Sequence, residues 1–361
     1  MWRLAVLCLL VLAGCSFRGD LARVPAGLEA SPNTRSIFFS TTRETDELPF
    51  GTDRRRGLTY GVADVSIPPI HEPGQIEWPR GEPDPAKHFL LARTDAFDGE
   101  RELIAQINAA LVGRKPGNRE VAIFVHGFNT RFGDGLYRMA QMSYDLDIPG
   151  IAMHYSWPSA GNPLNYAYDR DSALFAREGL RRTVEAVAKS NASSVLLVAH
   201  SLGSMVTMET IRELRLSRKE NVLRRIGGVI LMSPDLDLDV FRSQADQIGK
   251  LPQPFIIFSS RRDRALRLVE RLTGETKRLG KLEDVAEIAE YELTYIDITA
   301  FSEGGTNHFA TAKSPALLKV LSRVEDLETS LSADGGQTGL LPGTVLTVRN
   351  TTALILSPAG L

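Results

Sequence analysis

Ser201 stands where a serine can act as a nucleophile. It follows Val195-Leu196-Leu197-Val198, a short run of apolar residues that reads as a buried strand. It precedes Met205 to Leu216, which reads as a helix. A strand that turns at once into a helix needs a tight bend, and a hydroxyl at its apex projects from the sheet edge. The bend brings its flanks together, so the positions two before and two after the serine must be small. Here they are Ala199 and Gly203. The pattern is A-x-S-x-G where G-x-S-x-G is usual, a difference of one methyl group. The helix that follows aims its N-terminal amides and positive dipole end at the serine. A serine that merely caps a helix occupies the same kind of junction, so the chemistry depends on partners elsewhere in the chain.

A serine hydroxyl at neutral pH needs a base within hydrogen-bond reach, and the base needs a carboxylate to orient it. On a strand–elbow–helix scaffold the chain order is serine, acid, histidine. The histidines are His71, His88, His126, His154, His200 and His308. Only His308 follows Ser201. It comes after a strand predicted at 291–298, in a glycine-containing loop, Ser302-Glu303-Gly304-Gly305-Thr306-Asn307, that can carry an imidazole back over the sheet edge. His308 is therefore the expected base. Two carboxylates can orient it. Asp263 follows a strand predicted at 255–260, and Asp235 lies in Ser233-Pro234-Asp235 after the preceding strand. Asp263 is favoured, and whichever of the two is not the acid is a turn or capping carboxylate. The oxyanion of a tetrahedral intermediate needs fixed N–H donors. The amide of Leu202 is one candidate, and the amide of Phe128, after a strand predicted at 120–125, is the other. His126 is expected to brace the turn before Phe128, and His200 to pack.

The elements that must position these residues follow from periodicity. From residue 120 onward, short apolar runs alternate with amphipathic segments: strands near 120–125, 151–157, 195–198, 226–233, 255–260 and 291–298, with helices near 135–146, 172–190, 205–216, 240–248 and 315–331. Repeated βα units imply an α/β fold with a mostly parallel, doubly wound sheet and helices on both faces. Upstream, strands at 36–42, 58–67 and 88–97 and a helix at 98–112 form an N-terminal β extension. Residues 343–348 and 353–357 can pair as a hairpin. No internal repeat, GxGxxG or P-loop signature supports a nucleotide site.

Composition sets the outer limits. The chain has 361 residues, 43% of them hydrophobic, and a net charge of −2, so no global field recruits nucleic acid. Met1-Trp2-Arg3 and the apolar run Leu4 to Leu12 read as a signal-peptide core, too short for a membrane span. Leu12-Ala13-Gly14-Cys15 resembles the lipobox of bacterial lipoproteins. That resemblance implies cleavage before Cys15, lipidation of Cys15, and, with Ser16 next, a place in the outer membrane of the cell envelope. Cys8 and Cys15 are the two cysteines. Cleavage and acylation would consume both, leaving no disulfide and no thiolate metal site. The expected layout is a signal peptide over 1–14, a tether over 15–34, an enzyme domain over 35–331 (extension 35–112, core 113–331) and a tail over 332–361.

Six segments together resemble one family: His126-Gly127-Phe128-Asn129, Tyr155-Ser156-Trp157-Pro158-Ser159, Tyr168-Asp169-Arg170-Asp171-Ser172, Ala199-His200-Ser201-Leu202-Gly203, Ser233-Pro234-Asp235, and Ser260-Arg261-Arg262-Asp263-Arg264-Ala265-Leu266. The chain resembles, over roughly residues 35–325, a bacterial family of α/β-hydrolases described as esterase/lipase-like and of uncharacterised function. The resemblance implies the α/β-hydrolase fold and a triad of Ser201, Asp263 and His308. It does not imply a substrate.

The expected activity is cleavage of carboxylic esters through an acyl-enzyme, with no metal or organic cofactor. No long apolar insertion reads as a lid, which favours short acyl esters. Rival readings are a lipase or phospholipase, a thioesterase or an amidase on the same triad, and an inactive envelope scaffold. Two further segments are weighed. Tyr168 to Asp171 is expected to be a salt-bridged loop capped by Asp171 or Ser172, with Arg170 at the pocket mouth as the alternative. The basic run from Arg261 to Lys281 is expected to be a solvated helix face, with contact to anionic headgroups as the alternative.

Overall fold

The computed structural model describes residues 21–45, 50–274, 277–301, 313–314, 317–318, 345–348 and 351–355. An eleven-stranded sheet organises them. Its strands are β1 (Arg35–Arg43), β2 (Arg54–Ser66), β3 (Leu90–Phe97), β4 (Val121–Val125), β5 (Ile151–Ser156), β6 (Val195–His200), β7 (Ile226–Met232), β8 (Phe255–Ser259), β9 (Leu293–Asp297), β10 (Val345–Val348) and β11 (Thr351–Ile355). Their spatial order is β10-β11-β9-β8-β7-β6-β4-β5-β1-β2-β3. Every junction from β11 to β1 is parallel. The outer pairs β1–β2, β2–β3 and β10–β11 are antiparallel.

The helices are α1 (Gly99–Leu111), α2 (Phe132–Asp145), α3 (Tyr166–Ala188), α4 (Gly203–Leu216), α5 (Glu220–Leu223), α6 (Leu238–Ile248) and α7 (Arg264–Thr273). Both faces of the sheet are covered, which is why β4 reads as five apolar residues without alternation, all buried. Val121, Ile123 and Val125 pack with Ile107 of α1, Leu180 of α3, Ile211 of α4 and Phe241 of α6. Ala122 and Phe124 point the other way, into a core shared with Leu136 and Met139 of α2. Along α3, Ala173, Ala176, Leu180, Val184 and Val187 form one buried stripe at helical spacing. Each fully buried Leu or Val there contributes about 1.5–3 kcal/mol.

The strand order reverses at β4. The chain goes from β4 outward to β5, then crosses back to place β6 on the other side of β4. In open α/β sheets the carboxyl ends of strands at such a reversal form the natural crevice. The residues after β4 and after β6 meet there.

One feature differs from the sequence reading and two extend it. The strands upstream of the core widen the same sheet: β1 pairs in parallel with β5, from Ile37↔Ala152 to Thr41↔Ser156, and β2 and β3 continue from β1. Helix α3 begins at Tyr166, six residues before the expected start, and its N-cap is Asn165 rather than Asp171 or Ser172. Tyr168 to Asp171 is thus the first turn of a helix and not a loop. The reason lies in tertiary structure, since Asp169 is buried and held there by partners distant in sequence. In the tail, β10 and β11 do pair as a hairpin, and β11 joins the sheet edge beside β9. The signal-peptide and lipidation readings, Cys15 included, and most of the helix expected at 315–331 lie outside the described residues.

Candidate active site

Ser201 sits immediately after β6 with φ +52. That left-handed backbone is costly for a non-glycine residue and marks the sharp elbow that the sequence pattern calls for. The bend is held by backbone. The Ser201 N–H donates to the Met232 carbonyl at the end of β7 (3.0 Å), and its own carbonyl accepts the Ser204 N–H (3.0 Å). The two small positions are tight for different reasons. Ala199 is fully buried in the core. At Gly203 a Cβ would lie 2.4 Å from the Val125 carbonyl oxygen and 2.5 Å from that of His126. The elbow also presses on the loop after β4: a Cβ at Gly127 would meet the Ser201 Cβ and the His200 Nδ1, each at 2.7 Å. His200 packs there, as expected. Leu202 caps α4 in helical conformation, so the helix N-terminus begins directly beside the serine.

The loop after β4 is braced through His126 and Trp157. Their rings stack at 4.6 Å, the Trp157 Nε1–H donates to the His126 carbonyl (2.7 Å), and the His126 Nε2 lies 3.0 Å from the Trp157 carbonyl. Burial, with Arg43 and His154 nearby, holds the His126 imidazole well below its ordinary pKa. Its Nδ1 lies 2.9 Å from the Gly127 carbonyl, so both ring nitrogens face backbone and the ring braces the turn. Phe128 lies next, its ring edge-on to Tyr166 at 5.2 Å. Asn129 follows with φ +53, the second left-handed residue of the site.

Sequence reasoning missed the polar cluster beneath this loop. Asp169 is fully buried. It accepts the Asn129 N–H (3.0 Å), the Ser159 hydroxyl (2.6 Å) and the Ala160 N–H (2.7 Å). Burial pushes its carboxyl above the usual range, against the pull of those hydrogen bonds and of Arg43. Arg43, at the end of β1, is also fully buried. It donates to the Ser156 hydroxyl and to the carbonyls of Gly51, Ser159 and Thr130. Burial lowers its pKa to about 10, which still leaves it charged at neutral pH. The only sequence signal for Arg43 was a charged residue at the end of a strand.

Both candidate acids are buried. Asp263 is the N-cap of α7, its Oδ1 accepting the N–H groups of Ala265 (2.9 Å) and Leu266 (3.1 Å). Asp235 lies 3.2 Å from the Arg278 guanidinium through Oδ1 and accepts the Tyr166 hydroxyl (2.9 Å) through Oδ2. His308, the expected base, lies outside the described residues. Four cations of the basic run are paired: Arg261 with Asp297, Lys277 with Glu287, Arg278 with Asp235 and Lys281 with Glu270. Arg262, in the turn before α7, and Arg264 and Arg267 on it are exposed. Among the described residues, no three His, Cys, Asp or Glu side chains are grouped to hold a metal ion, and no helix is long and apolar enough to cross a membrane.

A mostly parallel, doubly wound sheet with a strained serine between strand and helix at its reversal point defines the α/β-hydrolase fold. Residues 101–325, more than half of the chain, match the family described as alpha/beta hydrolase of unknown function (DUF900). The chain belongs to that family, and its broad class is that of a hydrolase. Comparison with curated proteins found no match. Three solved structures resemble it at a TM-score of 0.38. They are an ester hydrolase from the metagenome of Lake Arreo in complex with a bipyridine phosphonate derivative (10% identity, 85% of this chain and 86% of that one), the alpha/beta hydrolase LAE6 from the same metagenome (9%, 85% and 85%), and esterase B from Lactobacillus rhamnosis (12%, 85% and 88%).

Proposed function

We propose that this protein is a serine hydrolase that cleaves carboxylic esters through an acyl-enzyme. The observation that carries the reading is Ser201 at φ +52 between β6 and α4, beside the loop after β4. Ser201 Oγ attacks the ester carbonyl carbon while His308 takes the hydroxyl proton. The amides of Leu202 and Phe128 stabilise the oxyanion. Collapse breaks the bond to the alkoxy group, which leaves with the proton from His308. Water then repeats the sequence to free the acid and the serine. Asp263, buried at the N-terminus of α7 after β8, orients His308. Asp235, between Arg278 and Tyr166, then holds the loops around the site together. The lipobox-like Leu12 to Cys15 supports attachment to the cell envelope through lipid on Cys15, and a Cys15→Ser variant would then carry no lipid on its N-terminal peptide.

Labelling with a fluorophosphonate probe tests the reading. Wild type and Asp235→Asn are expected to label, Ser201→Ala and His308→Ala to fail, and Asp263→Asn to label slowly. A folded wild type that does not label would leave a non-catalytic envelope protein as the better account. A panel of p-nitrophenyl esters, thioesters, anilides and phospholipids then separates esterase from its enzymatic rivals.

A further inference from the structure

We infer that Asp169 is a positioning residue for the oxyanion hole, acting through the loop that carries the Phe128 amide; the inference rests on the esterase reading above. An oxyanion donor works only if its N–H is aimed before the charge develops. The Phe128 residue is fixed from three directions. On its N-terminal side Gly127 lies against the Ser201 Cβ, so closely that no side chain fits between them. On its C-terminal side the next N–H, that of Asn129, is taken by Asp169 Oδ2 (3.0 Å). Its ring lies edge-on to Tyr166 at 5.2 Å.

Tyr166 and Asp169 are one helical turn apart at the start of α3, so a single rigid element sets both contacts. The bond to Asp169 also fixes the Phe128–Asn129 peptide plane and with it the left-handed turn at Asn129. Asp169 is itself held. Ser159 donates its hydroxyl to Oδ2 (2.6 Å) and accepts the Thr130 N–H (3.0 Å), and the Ala160 N–H reaches Oδ1 (2.7 Å). Arg43 closes the frame by donating to the carbonyls of Thr130 and Ser159. Each bond to Asp169 comes from a donor, so the residue must be an acceptor on both oxygens. Asparagine has nearly the same shape but turns one of those acceptors into a donor facing another donor.

The test compares wild type, Asp169→Asn and Ser159→Ala, each checked by circular dichroism and urea denaturation, on p-nitrophenyl butyrate. A trifluoromethyl ketone serves as the tetrahedral-adduct mimic. In Asp169→Asn, kcat is expected to fall about 10–100-fold, short of the ~10²–10³ for outright loss of a donor, while KM stays within about twofold. Affinity for the ketone is expected to fall in parallel with kcat/KM. Ser159→Ala is expected to show the same split at about 3–10-fold, and it decides the matter should Asp169→Asn fail to fold. A merely structural role would lower the active fraction or the stability but leave the ketone affinity of the folded fraction unchanged, and that result overturns the inference. Failure of wild type to label with a fluorophosphonate overturns the esterase reading itself. A wild type that labels, beside variants with unaltered kcat, overturns only the role of Asp169.

Discussion

A Cβ atom on Gly203 would sit 2.4 Å from the carbonyl oxygen of Val125, so the start of α4 and the end of β4 touch through backbone alone. Ser201 lies two residues before that contact, and the elbow therefore has no slack. Gly203→Ala forces strand and helix apart, with an overpacking cost of about 1–3 kcal/mol. We expect that loss in urea denaturation, together with at least a ~10-fold slower fluorophosphonate reaction at Ser201. Ala199→Gly, which removes one methyl group, should keep the labelling rate and lose only about 0.5–1 kcal/mol. Equal labelling rates for Gly203→Ala and wild type would refute the contact's importance.

Arg43 satisfies four oxygen acceptors inside the protein, at 2.8–3.1 Å. Arg43→Met fills similar space and leaves those acceptors without the donor, beside a buried Asp169. The expected loss is about 3–5 kcal/mol, the range for breaking one side of a buried charged network. Arg43→Lys restores the charge without the planar fork, so it should recover only part of that loss in a denaturation series.

His71 clasps the loop after β2 to helix α2. Its Nε2 lies 2.9 Å from Asp145 and its Nδ1 2.9 Å from Glu77, between the rings of Phe89 and Tyr144. Burial opposes its charge, but the bonds to Asp145 and Glu77 outweigh that and raise its pKa from 6.5 to about 9. A folded pKa above the unfolded value means stability that is complete below about pH 6.5 and is lost as pH rises through about 9. Solvent screening keeps the contribution on the order of 1–2 kcal/mol. The stability difference between wild type and His71→Gln should shrink by that amount from pH 6.5 to 10. A constant difference across that window would show that the imidazole is neutral.

His154 presents the opposite case. It is fully buried between Phe124 and Phe132, and among the described residues neither ring nitrogen has a hydrogen-bond partner. Burial, then the nearby Arg43 charge, push its pKa to about 3. A depressed pKa on a base means stability that is complete above about pH 6.5 and is lost as pH falls toward 3. His154→Leu removes two unsatisfied polar atoms, each of a kind that costs about 1–3 kcal/mol when buried, at some loss of ring packing. We expect equal or higher stability at pH 7 and a shallower decline from pH 6.5 to 4. A loss of 2 kcal/mol or more at pH 7 would mean that the ring's shape matters more than its polarity.

The reach of the sequence differs from element to element. The strands from β4 to β9 were legible because strands covered on both faces are rich in apolar residues, most plainly in Val121–Val125. The elbow was legible because a strand-to-helix bend leaves room only for small flanks, and Ala199, Ser201 and Gly203 fall within five consecutive positions. Residues acting within five positions of one another leave a local pattern.

What sequence could not place are relationships between distant segments. Nothing near Asp169 distinguishes it from Asp171, yet one is buried beneath Asn129, forty positions away, and the other is exposed. Nothing near Arg43 says that an arginine at a strand end will bond the carbonyls of Thr130 and Ser159. The start of α3 at Tyr166 was missed for the same reason, because contacts with Phe128, Asp235 and Asn129 support a turn whose local sequence does not announce a helix. The sequence by itself determined the class of fold and the strand-to-helix elbow that carries Ser201, since both rest on short-range sterics and periodicity. Only the tertiary structure decided which charges are buried and what they hold, because desolvation depends on everything packed around a group and not on its neighbours in the chain.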